Sequence, residues 1–422
     1  MSFINHCKEA KTEIMAGITA FFAVSYIIII NPMILADAGI PADLSVFATI
    51  FISILGCLVM GLWADAPIVL VPGMGVNAFF TYTVVVSMGF SWQGAIAVSL
   101  VSGLIFMGLA CSRCAAFLTK VIPPSLKYGI TAGIGLFLVE IGLEKAELIR
   151  AGTSSIIEMG SLQNPHALLA IFGLVLSLAL YLRGVAGSFF IAILVTSGIA
   201  ALSGVEAAAP VQIEFSKLAE YPALLGQCDF SRLLSLNFWL AVFSMSMILV
   251  FETMGMLEGL LPDKAKFKRT FSGSAVVTVF SSLMGTSPTV AAAESAAGIA
   301  CGGRRCIVAI TAAALFVLSL FFVPLLSYVP QAAIAPVIII TGAMMMQQLQ
   351  YIDFNDFSEW FPAFLLVVLI PLSGSISIGL AFGFAAYPLL KLFAGQGHRL
   401  HPAAYGLGLL FFMDLVFQAI KV

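Results

Sequence analysis

Apolar positions run along this chain in long unbroken blocks, not in the narrow stripes or strict alternation of soluble elements. Fourteen blocks stand out, at 13–32, 44–63, 68–88, 92–111, 125–143, 166–183, 187–204, 237–260, 268–284, 285–302, 306–328, 332–348, 357–372 and 376–393. Most approach the roughly 20 residues that cross a bilayer as a helix. The third and tenth break the pattern. The tenth contains Gly285-Thr-Ser-Pro-Thr-Val-Ala-Ala-Ala-Glu294-Ser-Ala-Ala-Gly298. Gly285 and Pro288 oppose helix there, while Ala291 to Ala300 suits it, which predicts an extended segment turning into a half-helix with Glu294 in its first turn. The third contains Pro67-Ile-Val-Leu-Val-Pro72-Gly-Met-Gly-Val-Asn77-Ala-Phe-Phe80, again a Pro/Gly-rich stretch before a helix-compatible run. Irregular backbone at membrane depth survives only where protein covers it or it lines a cavity. A last apolar run, 404–420, carries Asp414 in its middle and is expected at the interface or packed on the bundle.

The order of the blocks repeats. Pro123-Pro-Ser-Leu-Lys-Tyr-Gly-Ile-Thr-Ala-Gly opens the fifth, and Pro330-Gln-Ala-Ala-Ile-Ala-Pro-Val-Ile-Ile-Ile-Thr-Gly opens the twelfth, seven later. The broken spans are also seven apart. An odd offset reverses direction, so the expected fold is an all-α polytopic membrane protein of 14 spans built as a 7+7 inverted repeat. The main polar outside segments are 144–165 and 205–236, and 211–236 reads as partly amphipathic surface structure.

Composition agrees: 61% of residues are hydrophobic and 9% charged, with mean hydropathy +1.09. Soluble domains carry about 25% charge. Runs this long without alternation exclude an outer-membrane barrel. Charge also orients the chain. With the N-terminus inside, inside segments hold Lys8, Lys11, Arg113, Lys120, Lys127, Arg183, Lys264, Lys266, Lys268, Arg269, Arg304, Arg305, Lys391, Arg399 and Lys421, against Lys145, Arg150, Lys217 and Arg232 outside. No basic tract points to nucleic acid. Cys111-Ser-Arg-Cys114 lacks the second pair of a zinc site, and the four His fall in loops or tails. No cofactor or metal is expected.

Two carboxylates lie deep in apolar runs, Glu294 and, in Phe243-Ser-Met-Ser-Met-Ile-Leu-Val-Phe-Glu252-Thr-Met-Gly, Glu252. Such residues are costly in hydrocarbon and mark function; they can take up a proton or accept N–H bonds from a ligand. Asn77 could contact a ligand or cap its own helix. Phe79 could stack on a flat ring or simply pack. Thr253 and Ser295 could orient the carboxylates or bond to backbone. Glu258 and Glu140 are explained by proximity to the interface.

At these residues the chain resembles a known family. Gly73-Met-Gly-Val-Asn-Ala-Phe-Phe, Phe251-Glu-Thr-Met-Gly, and Glu294-Ser-Ala-Ala-Gly followed by Gly302-Gly-Arg are similar to the signature stretches of the AzgA-like purine permeases, a branch of the nucleobase–cation symporter families within the xanthine/uracil permease superfamily. Ala16-Gly-Ile-Thr-Ala-Phe-Phe-Ala-Val-Ser-Tyr-Ile-Ile-Ile-Ile-Asn-Pro32 and Ile376-Ser-Ile-Gly-Leu-Ala-Phe-Gly-Phe384 are similar too. The family usually has Asp-Thr where this chain has Glu252-Thr253. The resemblance implies a core domain (1–112 and 237–329), a gate domain (113–205 and 330–395), an extracytoplasmic loop (206–236) and an apolar tail (396–422). It implies a secondary transporter, not an enzyme, importing adenine, guanine or hypoxanthine by proton symport, with sodium the lesser alternative for the ion. Alternating access would be by an elevator or rocking motion. Substrate would be bound by Glu294, Glu252, Asn77, Phe79, Thr253 and Ser295, with Glu252 and Glu294 coupling the proton. The setting would be the bacterial inner membrane with both termini cytoplasmic, and a homodimer would form through the gate. A uracil, xanthine or small-anion carrier of the same fold is the alternative.

Overall fold

The computed structural model describes residues 2–112, 123–152, 157–205 and 215–420. Arg113, Cys114, Lys120 and Lys421 lie outside the described residues, as do the side chains of His6, Lys8, Arg399 and Asp414. The first half runs α1 (Ser2–Val24), α2 (Ile27–Asp37), α3 (Ala42–Leu58, extended by a π turn to Trp63), β1 (Leu70–Pro72), α4 (Met74–Ala78, continued by a π stretch to Ser87), α5 (Trp92–Cys111), α6 (Pro124–Lys145), β2 (Ile149–Ala151), β3 (Ile157–Met159), α7 (Pro165–Leu182) and α8 (Ser188–Ser203). The second runs α9 (Leu236–Leu260), α10 (Phe267–Leu283), β4 (Thr289–Ala291), α11 (Ser295–Ala300), α12 (Cys306–Ser319, continued to Tyr328), α13 (Gln331–Met346), α14 (Phe357–Ser373), α15 (Ile376–Phe393) and α16 (Pro402–Ile420). Among the described residues nine helical stretches are long and apolar enough to cross a membrane.

The unbroken spans fall within a few residues of the hydropathy blocks, with one difference of substance. The first block is one apolar stretch, Ala10–Asp37, but its regular helix is interrupted for a turn at Ser25-Tyr26 between α1 and α2. The half-helix expected from Ala291 begins only at Ser295, because Thr289–Ala291 is drawn into a strand. His166, placed in a loop by sequence, sits in the first turn of α7, where the Asn164 side chain accepts from its N–H at 3.0 Å. The 144–165 segment carries an antiparallel β2–β3 pair that hydropathy does not signal. In the second outer segment, Tyr221 donates to the Met284 carbonyl at 3.1 Å and Leu224 is buried. The final run is a helix packed on the bundle, with Phe411 against Phe384 and Phe243.

Packing separates two units. One joins α1–α5 with α9–α12; the other joins α6–α8 with α13–α15. The first unit holds the most polar span, α10. Its buried Thr270, Ser274 and Thr278 each donate to the carbonyl four residues back, at 2.9–3.0 Å, so they need protein, not lipid, around them. The second unit centres on the crossing of α6 and α13. A Cβ on Gly342 would stand 2.4 Å from the Gly135 carbonyl oxygen, and one on Gly135 2.5 Å from that of Gly342. Backbones meet there because neither residue has a side chain. These two glycines have the same separation in sequence as Pro123 and Pro330, so equivalent positions of the repeat meet at its axis.

The ion pairs gather at the ends of the spans. Lys145–Asp37 (2.7 Å) lies at the ends expected outside from the charge pattern. Lys266–Asp65 (2.7 Å) and the Lys391 cluster lie at those expected inside. There Lys391 pairs with Asp356 (3.1 Å) and Glu359 (2.8 Å), and Glu359 also accepts from Tyr387 (2.8 Å) and Ser125 (2.6 Å), fastening α6, α14 and α15 together.

Candidate functional site

The two broken segments pair with each other. β1 and β4 form a two-stranded antiparallel ladder with Leu70 opposite Ala291, Val71 opposite Val290 and Pro72 opposite Thr289. Gly73 N donates to the Pro288 carbonyl (3.2 Å) and Ala292 N to that of Val69 (3.0 Å). Prolines that forbid helix leave backbone groups without intrahelical partners, and each segment satisfies the other's. Gly73 is required by this fit, since a Cβ there would stand 2.4 Å from Val290 Cγ2.

A buried hydroxyl–amide cluster fixes the approach to β4. Asn31 Nδ2 donates to Thr49 Oγ1 (2.8 Å) and Thr286 Oγ1 (3.1 Å), and Ser287 Oγ donates to Asn31 Oδ1 (3.0 Å). All four side chains are fully buried. Satisfied this way, they hold the Gly285–Pro288 turn rigidly. Gly285 adopts φ 78° there, a left-handed conformation open to glycine.

The paired segments form one wall of a cavity of about 250 Å³. Val71–Met74 and Val290–Glu294 supply that wall; Tyr26 and Ile27 enter from the α1–α2 turn and Glu252 and Met256 from α9. The opposite wall belongs to the second unit, with Thr131 from α6 and Thr341, Gln347 and Gln348 from α13 and the turn after it. Among the described residues, no Lys, Arg or His lines it. Tyr26 donates its hydroxyl hydrogen to Glu294 Oε1. Gly75, at the start of α4, leaves room beside Glu252: a Cβ there would stand 3.4 Å from Oε2. The cavity therefore offers two carboxylates, a tyrosine hydroxyl, two hydroxyls and two amides between apolar walls, the composition of a site for a small polar heterocycle.

The structure brings together Glu252 and Glu294 and sets the other four candidates behind the wall. Asn77 lies one turn into α4, fully buried, its N–H bonded to the Gly73 carbonyl (2.8 Å). Neither side-chain atom of Asn77 has a partner among the described residues, and the N-terminal cap of α4 is Gly73, so it does not cap its helix. Phe79 is fully buried in the core. Thr253 is buried with its hydroxyl unpartnered among the described residues. Ser295 Oγ accepts from Val69 N at 3.0 Å, fastening the start of α11 to the chain entering β1. Sequence reasoning missed Tyr26, Asn31 and the second unit's contribution. Asn31, before Pro32 in an isoleucine-rich run, carried a usable signal; Tyr26 carried none, because the turn that aims it is not apparent in hydropathy.

Comparison with known proteins gives a consistent picture. The Permease family profile Xan_ur_permease matches residues 11–382. The chain is 40% identical over 383 residues to the nucleobase transporter PlAzg2 of Paenibacillus larvae, covering 90% of this chain and 77% of that protein. It is 36% identical over 434 residues to the guanine/hypoxanthine permease PbuO of Bacillus subtilis (97% and 99% covered). It is 32% identical over 425 residues to the adenine permease AdeP of Escherichia coli (98% and 94%). Among solved structures, the transmembrane domain of a cyanobacterium bicarbonate transporter, BicA, superposes with TM-score 0.63 at 17% identity, over 87% of this chain and 96% of that one. The murine anion transporter Slc26a9 in its inward-facing state gives TM-score 0.63 at 14% identity, over 91% and 68%. At such identities the likeness concerns the fold alone, the all-helical 7+7 inverted repeat with core and gate units.

Proposed function

This chain belongs to the Permease family matched above and is a multi-pass membrane transporter, not an enzyme; on that premise we propose that it imports purine nucleobases, adenine, guanine or hypoxanthine, by proton symport. The observation that carries the reading is the cavity between the two units, with Glu252 and Glu294 as its ionisable acids and no cation on its wall among the described residues. A purine presents ring N–H groups, which carboxylates accept in strong, charge-assisted bonds. An anionic cargo would meet repulsion instead, so the anion carriers' fold supports the architecture but not their cargo for this chain.

In this reading Glu294 accepts purine N–H bonds and Glu252 shares ligand contact with proton uptake. Ser295 acts from behind the wall, its hydroxyl accepting from Val69 N and holding the start of α11 to the chain entering β1, while Asn77, Phe79 and Thr253 lie buried around the site. The α1–α5/α9–α12 unit is the core that carries cargo; the α6–α8/α13–α15 unit is the gate against which it moves. The state is inward-facing. Asp37 and Lys145 close the outer side, while the cavity runs from Tyr26 toward Met256, Gln347 and Gln348 near the inner ends of their helices. Uptake of radiolabelled adenine, guanine and hypoxanthine into proteoliposomes with an imposed pH gradient tests this. Accumulation should require the gradient and vanish in Glu294→Gln. Undiminished uptake by that variant would remove Glu294 from the mechanism, and uptake driven by a sodium gradient alone would replace the coupling ion.

A further inference from the structure

Between α1 and α2 the chain turns through Ser25 and Tyr26. Ile28 N bonds the Ser25 carbonyl (3.1 Å) and Ile29 N that of Tyr26 (3.0 Å), a tighter spacing than the α-helix uses, before Ile30 N, also on the Tyr26 carbonyl (3.0 Å), resumes the α-helical one. The turn aims the Tyr26 hydroxyl at Glu294, on the far half of the repeat. The ring, 2% exposed, packs edge-on against Phe189 of α8 in the gate unit, with centroids 5.7 Å apart at 83°. Phe189 is itself stacked on Tyr181 of α7, at 5.6 Å and 9°. One side chain thus touches the acid of the cavity through its hydroxyl and the opposite unit through its ring.

We infer that Tyr26 is a positioning residue for cargo binding. By occupying Oε1 of Glu294 it fixes the carboxylate rotamer and leaves Oε2 as the acceptor for a ligand N–H. A carboxylate has about four lone-pair positions and free rotation about its last bond. The Tyr26 donor, held by a packed ring, restricts that freedom together with the hydrogen bond from Glu294's own backbone N–H, so the ligand meets an acceptor already aimed. The ring contact with Phe189 keeps the hydroxyl in place while the units are in this arrangement.

The inference rests on the nucleobase reading of the cavity, and two readouts separate their failures. Tyr26→Phe keeps the ring on Phe189 and removes only the hydroxyl. In the uptake assay its KM for the transported base should rise about tenfold, the scale of one charge-assisted hydrogen bond, with Vmax within twofold of wild type. Without any ligand, the infrared carboxyl band that disappears in Glu294→Gln should shift in Tyr26→Phe. A shifted band with raised KM supports the assignment. An unshifted band overturns it whether or not any base is transported, and so does a fall in Vmax at unchanged KM. A Tyr26→Phe protein that fails to elute as a folded species would also overturn it, by making the hydroxyl structural. Wild-type protein that takes up none of the three bases would sink the nucleobase reading, while the infrared band alone would still decide the Tyr26 contact.

Discussion

Replacing Lys145 by Met should open the outer face. Asp37, at the end of α2 in the core unit, binds Lys145 Nζ of the gate unit at 2.7 Å and accepts from Tyr82 of its own unit, also at 2.7 Å. The Tyr82 bond stays within the core and does not resist separation of the units. The Lys145 bond crosses between them and must break. The two side chains are 16% and 31% exposed, between the surface pairs worth about 0–1 kcal/mol and fully buried ones. We therefore assign the contact about 1–2 kcal/mol, which changes a two-state ratio roughly 5–30-fold. On a background without native cysteines, Ile27→Cys reports from the cavity wall. A membrane-impermeant maleimide added outside should label it severalfold faster in Lys145→Met. The exchanged pair Asp37→Lys with Lys145→Asp should restore slow labelling, and high salt should narrow the difference. Equal outside labelling of Lys145→Met and its parent would refute the latch, as would an exchanged pair that labels like the single variant.

The gate unit's crossing predicts that Gly342→Ala lowers the unfolding temperature in detergent. Its Cβ would be forced to 2.4 Å from a backbone oxygen, an overpacking of at least about 1–3 kcal/mol. Gly108→Ala, which meets nothing within 4 Å, is the control and should be neutral or stabilising; equal Tm values for the two would contradict the close approach. At the inner end of α14, Asp356 has its carboxyl held down at about 2, first by the Ser358 hydroxyl at 2.6 Å and then, against a burial penalty, by Lys391. A depressed carboxyl stabilises above its unfolded range near 4, and that contribution is lost as pH falls toward 2. Asp356→Ala should therefore unfold at lower temperature than its parent at pH 7, with the gap closing between about pH 4 and 2. A gap independent of pH would assign the loss to packing instead.

The sequence by itself determined where the chain crosses the membrane, because the cost of unpaired backbone and charge in hydrocarbon leaves long apolar helices as the available solution. It marked the two exceptions through Pro72, Gly73, Gly285 and Pro288, and the acids Glu252 and Glu294 through their position in otherwise apolar runs. Only the tertiary structure decided what those segments meet. The β1–β4 ladder joins residues from opposite halves, and no local pattern encodes that pairing. Rotation of each span about its own axis was equally hidden. In a membrane the lipid-facing and protein-facing sides are both apolar, so a helix such as Leu236–Leu260 carries little periodic signal of which side faces a cavity. That is why Glu252 could be singled out by cost, while the sequence could not say which side of its helix Asn77 or Phe79 presents to the cavity. It is also why Tyr26, an unremarked aromatic in an apolar block, reached Glu294 only once a turn between two helices had aimed it.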